Sequence, residues 1–186
     1  MTVDMRSFLQ QIKKTNDLFT VKKKVSTKYE IAAVTEKLDG SKAVLFENVQ
    51  GSKFKLVSNL VGSRDRFAQA IGSKKSDINQ KIVKAISSAK KPKISTTAKF
   101  FENSSNDISI LPIVTHFQNE SGPFITSSIL YTKNLETKSQ NSSFHRLMPI
   151  GKRQFSIRMV EGRDCLLYTS DAADEGLGVD LGGRRI

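Results

Sequence analysis

The sequence predicts an α+β protein in which a mixed α/β region comes first and a β-rich region follows. Residues 1–100 contain apolar residues three or four positions apart, which is helix spacing, together with short apolar runs of strand length. Residues 101–164 contain stretches in which apolar and polar residues alternate, which is the spacing of half-buried strands. We therefore expect two domains at these bounds, and no domain in residues 165–186.

Four helices are predicted in the first region, because four apolar stripes each follow a potential N-cap. An N-cap side chain accepts hydrogen bonds from the free N–H groups of the first helical turn. We interpret every stripe as core packing. The first predicted helix covers residues 5–14 and follows Asp4, and the second begins after Ser26 or Thr27 and runs through Glu36. The third begins at Ser63 and Asp65, and the fourth begins at Ser76 and Asp77 and runs through Ser88. Their apolar residues are Phe8, Leu9 and Ile12; Tyr29, Ile31, Ala32, Ala33 and Leu38; Phe67, Ala70 and Ile71; and Ile78, Ile82, Val83 and Ile86.

The same region contains two predicted strands, over residues 43–46 and 54–58. The stretch between them, ENVQGSK, is rich in turn-forming residues. Residues 16–25 show neither period, and we expect an irregular connection there.

The second region predicts strands in GPFITSSILYTKN and on both sides of Pro149 to Lys152. Alternation places side chains i and i+2 on one face of a strand. Arginines recur among the apolar residues of this strand pair. An anionic ligand held against the sheet would explain them, and so would a solvated sheet face. The predicted faces are Asn141, Ser143 and His145 against Phe144, Arg146 and Met148, and Phe155, Ile157 and Met159 against Ser156, Arg158 and Val160.

The chain is basic, with a formal net charge of +12. Its lysines occur in short runs, such as residues 22–24, which we interpret as solvated surface rather than a nucleic-acid site. No apolar run is long enough to span a membrane, and the first residues lack the apolar core of a signal peptide. We therefore expect a cytoplasmic protein.

Most catalytic signatures are missing from the sequence. It has no phosphate-binding G-x-x-x-x-G-K-[ST] loop, no G-x-G-x-x-G and no G-x-S-x-G. His116 and His145 are not at metal-binding spacing, and we interpret His116 as a structural residue. Glu120 stands in a predicted turn, where we expect it to be solvated.

What remains is the arginine-bearing strand pair, whose side chains suit a ligand with an anionic group. Asn141 offers a carbonyl oxygen for a divalent cation such as Mn²⁺ or Mg²⁺. Arg146 and Arg158 offer planar donor groups for phosphate or carboxylate. The backbone of residues 143–145 could hold the edge of a flat ring, and Met159 and Val160 could pack on its face.

The last stretch, CLLYTSDAADEGLGVDLGGRRI, differs abruptly from the rest, because lysine disappears. Residues 165–170, 171–175 and 178–186 match, in one frame, the translation of a transposon-type sequencing adapter. We therefore predict that residues 165–186 are not part of the natural protein. The segment holds four acidic and two basic residues, so the remainder carries +14. It also holds the only cysteine, Cys165, so the natural part has no thiol nucleophile and no disulfide.

Several segments, in order, resemble the UbiD family of decarboxylases. They include LPIVTHF, GPFIT, the strand N-x-[small]-[apolar]-x-Arg beginning at Asn141, and a second strand ending in Gly162-Arg163. The front of the chain, with YEIAAVTEKLDG and LVSNLVGSRDRFAQAIG, also resembles the N-terminal domain of this family. The resemblance covers residues 5–163.

The resemblance implies that the second domain is the first part of a split β-barrel that binds prenylated FMN, Mn²⁺ and, in many members, K⁺. It implies that Asn141 is a metal ligand and that Arg146, as the catalytic arginine, pairs with the cofactor or with the substrate carboxylate. The flavin site would be lined by Ser143, Phe144, His145, Arg146, Arg158, Met159, Val160 and Arg163. Family members have a metal-binding His after the Gly-Arg pair, where this sequence has Asp164. The metal-binding Glu and the catalytic acid of the family would lie further on.

The resemblance predicts an N-terminal fragment of a carboxy-lyase that acts on an aromatic or α,β-unsaturated acid. We expect the fragment to be inactive and to bind flavin poorly, and the full-length protein to form a homo-oligomer supplied with cofactor by a flavin prenyltransferase. Two alternatives are a small basic nucleic-acid-binding module and a flavin-binding electron carrier. The sequence lacks the aromatic-glycine motifs of an RNA-binding sheet, so we do not expect a nucleic-acid partner.

Overall fold

The computed structural model describes residues 4–90, 102–134 and 137–159. The chain divides into two compact units, one of Met1–Ser105 with Ile110–Pro112 and one of Asn106–Ser109 with Ile113–Ile186. Both helices and sheets are present, so the predicted α+β class is confirmed. The domain bounds at residues 100 and 164 stay a prediction. Val160, Arg163, Asp164 and the proposed adapter segment lie outside the described residues.

In its described residues, the first unit combines four helices with a small mixed sheet. Its strands are ordered β1-β2-β3, with β1 parallel to β2 and β3 antiparallel to β2. Since parallel neighbours need a crossover connection, helix α2 runs between β1 and β2. The elements are α1 Met5–Lys14, β1 Leu18–Val21, α2 Glu30–Lys37, β2 Ala43–Phe46, β3 Leu56–Ser58, α3 Arg64–Ala70, a 3₁₀ turn Lys75–Asp77 and α4 Ile78–Ser87.

Helix α1 begins as predicted, and its apolar face enters the core. The Asp4 carboxylate accepts hydrogen bonds from the backbone N–H groups of Arg6, at 2.8 Å, and Ser7, at 2.9 Å. Phe8 and Ile12 pack with Ala43 of β2 in a buried cluster. The cap and the apolar spacing together fix α1 against the sheet.

The irregular connection expected over residues 16–25 is wrong in part, because Leu18–Val21 forms β1. This strand is only four residues long and is ordered by pairing with β2, in the register Leu18↔Ala43 to Val21↔Phe46. A strand whose partner lies more than twenty residues away has no local signal, so periodicity missed it.

Helix α2 begins later than predicted, at Glu30 instead of directly after Ser26 or Thr27. Tyr29 has a positive φ of 69°, so helical geometry cannot extend back through it. Ser26 nevertheless contributes to the turn in front of the helix: its hydroxyl accepts from the Lys28 N–H, and its own N–H donates to the Glu30 carboxylate at 2.7 Å.

The apolar stripes of α3 and α4 are buried less than predicted. Within α3 the buried side chains are Arg66 and Ala68, while Phe67 is only half-buried. In α4 only Ile78 is buried, and Val83 and Ile86 are 64% and 74% exposed. The core-packing interpretation is therefore wrong for the second half of α4.

The second unit contains a three-stranded antiparallel sheet ordered β4-β5-β6. The strands are β4 Ile125–Lys133, β5 Gln140–Pro149 and β6 Phe155–Ile157, close to the predicted positions. A 3₁₀ turn spans Ile108–Ile110, and an isolated bridge pairs Val114 with Phe124. Along β5 the exposed and half-buried residues alternate from residue 140 to residue 147, which confirms the two predicted faces of that strand.

No helix in the described part of the chain is long and apolar enough to cross a membrane.

Candidate functional site

Two arginines of the strand pair, Arg146 and Arg158, line one cavity of the second unit. It lies against the exposed face of β5 and β6, and its volume is about 370 Å³. The lining residues are Glu120, Ser121, Phe124, Arg146, Met148, Ser156 and Arg158.

Strand register explains why Arg146 and Arg158 meet at this cavity. Met148 pairs with Ser156, so these two side chains share a face. Arg146 precedes Met148 by two residues and Arg158 follows Ser156 by two, which places both guanidinium groups on that same face. The Arg146 guanidinium carbon also lies 5.4 Å from the centre of the Phe124 ring, a cation–π distance that helps to orient it.

Glu120 is the carboxylate of the cavity wall, and it holds the preceding turn in shape. Its Oε2 accepts hydrogen bonds from the backbone N–H groups of His116, at 2.7 Å, and Phe117, at 3.4 Å. The Glu120 side chain is only 14% exposed, so the prediction that it is solvated is wrong. The signal for this role was the position of an acidic residue four places after His116, where it can reach back to cap the turn.

The charges of the lining residues favour an anionic ligand. Two guanidinium groups face one carboxylate among the described residues of the wall. A phosphate or a carboxylate fits such a pair, because each guanidinium offers parallel N–H donors to two oxygens.

Asn141, Ser143 and His145 lie on the other face of β5. They pair with Thr132, Leu130 and Ser128 of β4, and they are half-buried where Arg146 is exposed. The structure therefore brings Arg146 and Arg158 together at the cavity and places Asn141 on the opposite side of the strand. Phe144 shares the face of Arg146 but is 76% exposed and does not line the cavity, and neither does the half-buried Met159.

The described residues do not complete a metal site around Asn141. Within these stretches of the chain no three His, Cys, Asp or Glu side chains cluster closely enough to hold an ion. A single neutral amide oxygen suits Mn²⁺ but cannot hold it without further ligands. The metal-ligand role of Asn141 stays a prediction.

The imidazole of His145 bridges two strands instead of facing the cavity. Its Nε2 lies 2.9 Å from the Ser143 hydroxyl, and its Nδ1 lies 3.3 Å from the backbone carbonyl oxygen of Arg158. Sequence reasoning assigned His145 to the flavin site and missed this contact, because the ring reaches a residue thirteen positions away.

Both halves of the chain match one protein family. Residues 9–86 match the 3-octaprenyl-4-hydroxybenzoate carboxy-lyase N-terminal domain, and residues 87–182 match the Rift-related domain of the same enzymes. The chain belongs to the UbiD family. The resemblance stated from the sequence is thereby confirmed. The second match runs past residue 164, so the extent of the proposed adapter segment stays a prediction.

Two curated relatives of the chain are decarboxylases by name. The chain is 33% identical to an anhydromevalonate phosphate decarboxylase of Methanosarcina mazei and 26% identical to one of Methanothermobacter thermautotrophicus, over 92% and 95% of its own length. It covers 39% and 41% of those two proteins. The chain thus spans about 40% of the length of the relatives it matches.

Solved structures of UbiD-class enzymes share the fold. The enzyme HmfF from Pelotomaculum thermopropionicum, in complex with FMN, superposes with a TM-score of 0.86 at 28% identity. An evolved dimeric form of HmfF in complex with prFMN superposes with a TM-score of 0.82 at 26% identity. Each superposition covers 92% of this chain and 40% or 41% of HmfF.

Proposed function

We propose that this chain forms the N-terminal portion of a UbiD-type carboxy-lyase that removes CO₂ from, or adds CO₂ to, an unsaturated carboxylic acid. The observation that carries the proposal is the convergence of Arg146 and Arg158 on one cavity in a chain of this family. A paired guanidinium site is what a phosphate-bearing cofactor and a carboxylate substrate both require.

The cofactor that we propose is prenylated FMN. The HmfF structures contain FMN and prFMN, and the cavity here offers two guanidinium groups, the Met148 side chain and the Phe124 ring. When bound, this flavin supplies an electron sink for the carbon that loses CO₂. Residues 143–146, 158–160 and 163 would hold it, as the family resemblance implies.

The residues of the chain would bind and orient the reacting groups. Arg146 would hold the substrate carboxylate or the cofactor, with the Phe124 ring limiting the directions its guanidinium can take. Glu120 would keep the adjoining turn in place through its hydrogen bonds to the backbone. The acid that returns a proton to carbon would come from residues beyond this chain.

Three further parts of the proposal depend on the family resemblance. Strands β4 to β6 would be the first part of the split β-barrel. Asn141 would bind Mn²⁺ once other ligands join it, and K⁺ would accompany the metal. The complete protein would be a cytoplasmic homo-oligomer that receives its cofactor from a flavin prenyltransferase. The dimeric form of HmfF supports the homo-oligomer.

For the substrate we favour a phosphorylated α,β-unsaturated acid over an aromatic acid. Two relatives at 26% and 33% identity are named for anhydromevalonate phosphate, a dehydrated and phosphorylated mevalonate.

The test uses the longer polypeptide that we expect the source DNA to encode, produced together with a flavin prenyltransferase. We expect it to release CO₂ from anhydromevalonate phosphate and, in D₂O, to place deuterium on the carbon that bore the carboxylate. The 186-residue chain alone should do neither. Absence of both reactions with phosphorylated, aliphatic and aromatic acids would refute the proposal, and salt-dependent binding of DNA or RNA would favour the nucleic-acid module.

A further inference from the structure

We propose that His145 is a positioning residue that holds Arg158 opposite Arg146, and that it does so as the tautomer with the proton on Nδ1. The inference rests on the proposed function in one respect, that the cavity receives an anionic group. Its structural part concerns the end of β6 and can be tested without any ligand.

The first step is the point at which the β-ladder stops. Strands β5 and β6 pair from Pro149↔Phe155 to Leu147↔Ile157, and β6 ends at Ile157. Continued by one step, the same register would place Arg158 opposite Arg146. The hydrogen bond between the His145 ring and the Arg158 carbonyl oxygen, at 3.3 Å, lies just beyond that end. A side chain of β5 therefore continues the connection where the backbone ladder has ended.

The second step is why such a connection is needed. Like charges directly opposite each other on neighbouring strands destabilise the pairing. Since the last described pair of this ladder is Leu147↔Ile157, repulsion would move the Arg158 backbone away from β5. The His145 contact opposes that movement before any ligand arrives.

The third step assigns the proton. A carbonyl oxygen only accepts hydrogen bonds, so Nδ1 must be the donor to Arg158. In the neutral ring Nε2 is then an acceptor, and the Ser143 hydroxyl at 2.9 Å is its donor. The Arg158 carbonyl oxygen thus selects the tautomer, and the Ser143 hydroxyl, which can donate or accept, is compatible with it.

Two conservative substitutions separate the ring contacts. In His145→Asn the side-chain amide nitrogen can take the place of Nδ1 and donate to the Arg158 carbonyl. In His145→Gln the longer side chain places its amide near Nε2 and reaches Ser143 instead. A variant that keeps only the Arg158 contact can then be compared with one that keeps only the Ser143 contact.

The experiment is ¹⁵N NMR of the 186-residue chain, at about pH 8.5 where an ordinary imidazole is neutral, combined with titration of inorganic phosphate. We expect the Nδ1–H tautomer, an Arg158 Nε–H signal retained in His145→Asn and displaced in His145→Gln, and phosphate binding about tenfold weaker in His145→Gln only. An Nε2–H tautomer, or equal behaviour of the two variants, would overturn the inference. If phosphate binds to no variant, the proposed ligand class fails, while the tautomer and the Arg158 signal still decide the role of His145.

Discussion

Arg146 and Arg158 lie on neighbouring strands, face the same cavity, and occupy the positions that the β5–β6 register would pair next. Two cations in such a relationship repel each other when the cavity is empty. A bound anion would remove that repulsion and would be held by both. The relationship therefore gives the site a preference for phosphate and carboxylate groups, and it makes the contribution of each charge measurable.

Removing one cation should weaken anion binding. In Arg158→Gln the cavity loses a charged donor pair, so the affinity of the 186-residue chain for inorganic phosphate should fall about tenfold or more. Arg153→Gln is the matched control, because Arg153 is exposed in the turn before β6 and does not line the cavity. Isothermal titration of both variants measures the difference, and equal losses would show that only net charge matters.

Removing the anion of the wall should have the opposite effect. In Glu120→Gln the amide oxygen can still accept from the His116 N–H, but the negative charge near the arginines is gone. Phosphate affinity should rise a few-fold, as expected for a nearby charge in a partly solvated site. Glu47→Gln, at a carboxylate paired with Lys55 in the other unit, should leave the affinity unchanged. A lower affinity in Glu120→Gln would show that Glu120 acts through structure and not through charge.

The buried arginine of α3 should dominate the stability of the first unit. Arg66 is 3% exposed and donates to the backbone carbonyls of Ser41, at 2.7 Å, and Asn59, at 3.3 Å. Arg66→Ala leaves both carbonyls without this partner and opens a void, so unfolding free energy should fall by about 3 kcal/mol. Arg64 lies two residues earlier in α3 and is exposed, so Arg64→Ala should change the unfolding free energy by less than about 0.5 kcal/mol. Urea denaturation of the two variants makes the comparison, and similar values for both would contradict the role of Arg66.

The N-cap of α1 should make that helix sensitive to acid. Hydrogen bonding from the Ser7 backbone N–H, the largest cause, lowers the pKa of Asp4 below its ordinary value. A carboxylate with a lowered pKa stabilises the folded state above its ordinary pKa, and this contribution is lost as pH falls through the folded value. The amide signals of Arg6 and Ser7 should therefore move together on acidification. In Asp4→Asn this titration should be absent, and its persistence would assign the transition to another group.

Local chemistry made parts of this fold predictable from the sequence. The Asp4 and Ser63 caps, and the alternation of β5, each depend on residues that lie within a few positions of one another. Strand β1 was missed because its order comes from β2, and the exposure of Val83 and Ile86 was missed because periodicity does not show what covers a face.

The same distinction holds for the site. Arg146 and Arg158 could be found from alternation, since each stands two residues from a member of the pair Met148↔Ser156. Glu120 and Phe124 could not, because a turn brings them to the cavity from outside the strand pair. Asn141 lies five residues before Arg146 on the same strand. Because side chains alternate between the two faces, an odd separation places Asn141 on the opposite face.

The most direct measurement compares FMN with riboflavin, which lacks the phosphate, by NMR of the arginine Nε–H signals of the 186-residue chain. If the cavity receives the phosphorylated flavin, FMN should shift the signals of Arg146 and Arg158 together, even at weak affinity, and riboflavin should shift neither to the same extent. The signals of Arg64 and Arg153 should stay in place. Equal shifts with the two flavins, or shifts at Arg153 without shifts at Arg146 and Arg158, would contradict the assignment of this cavity.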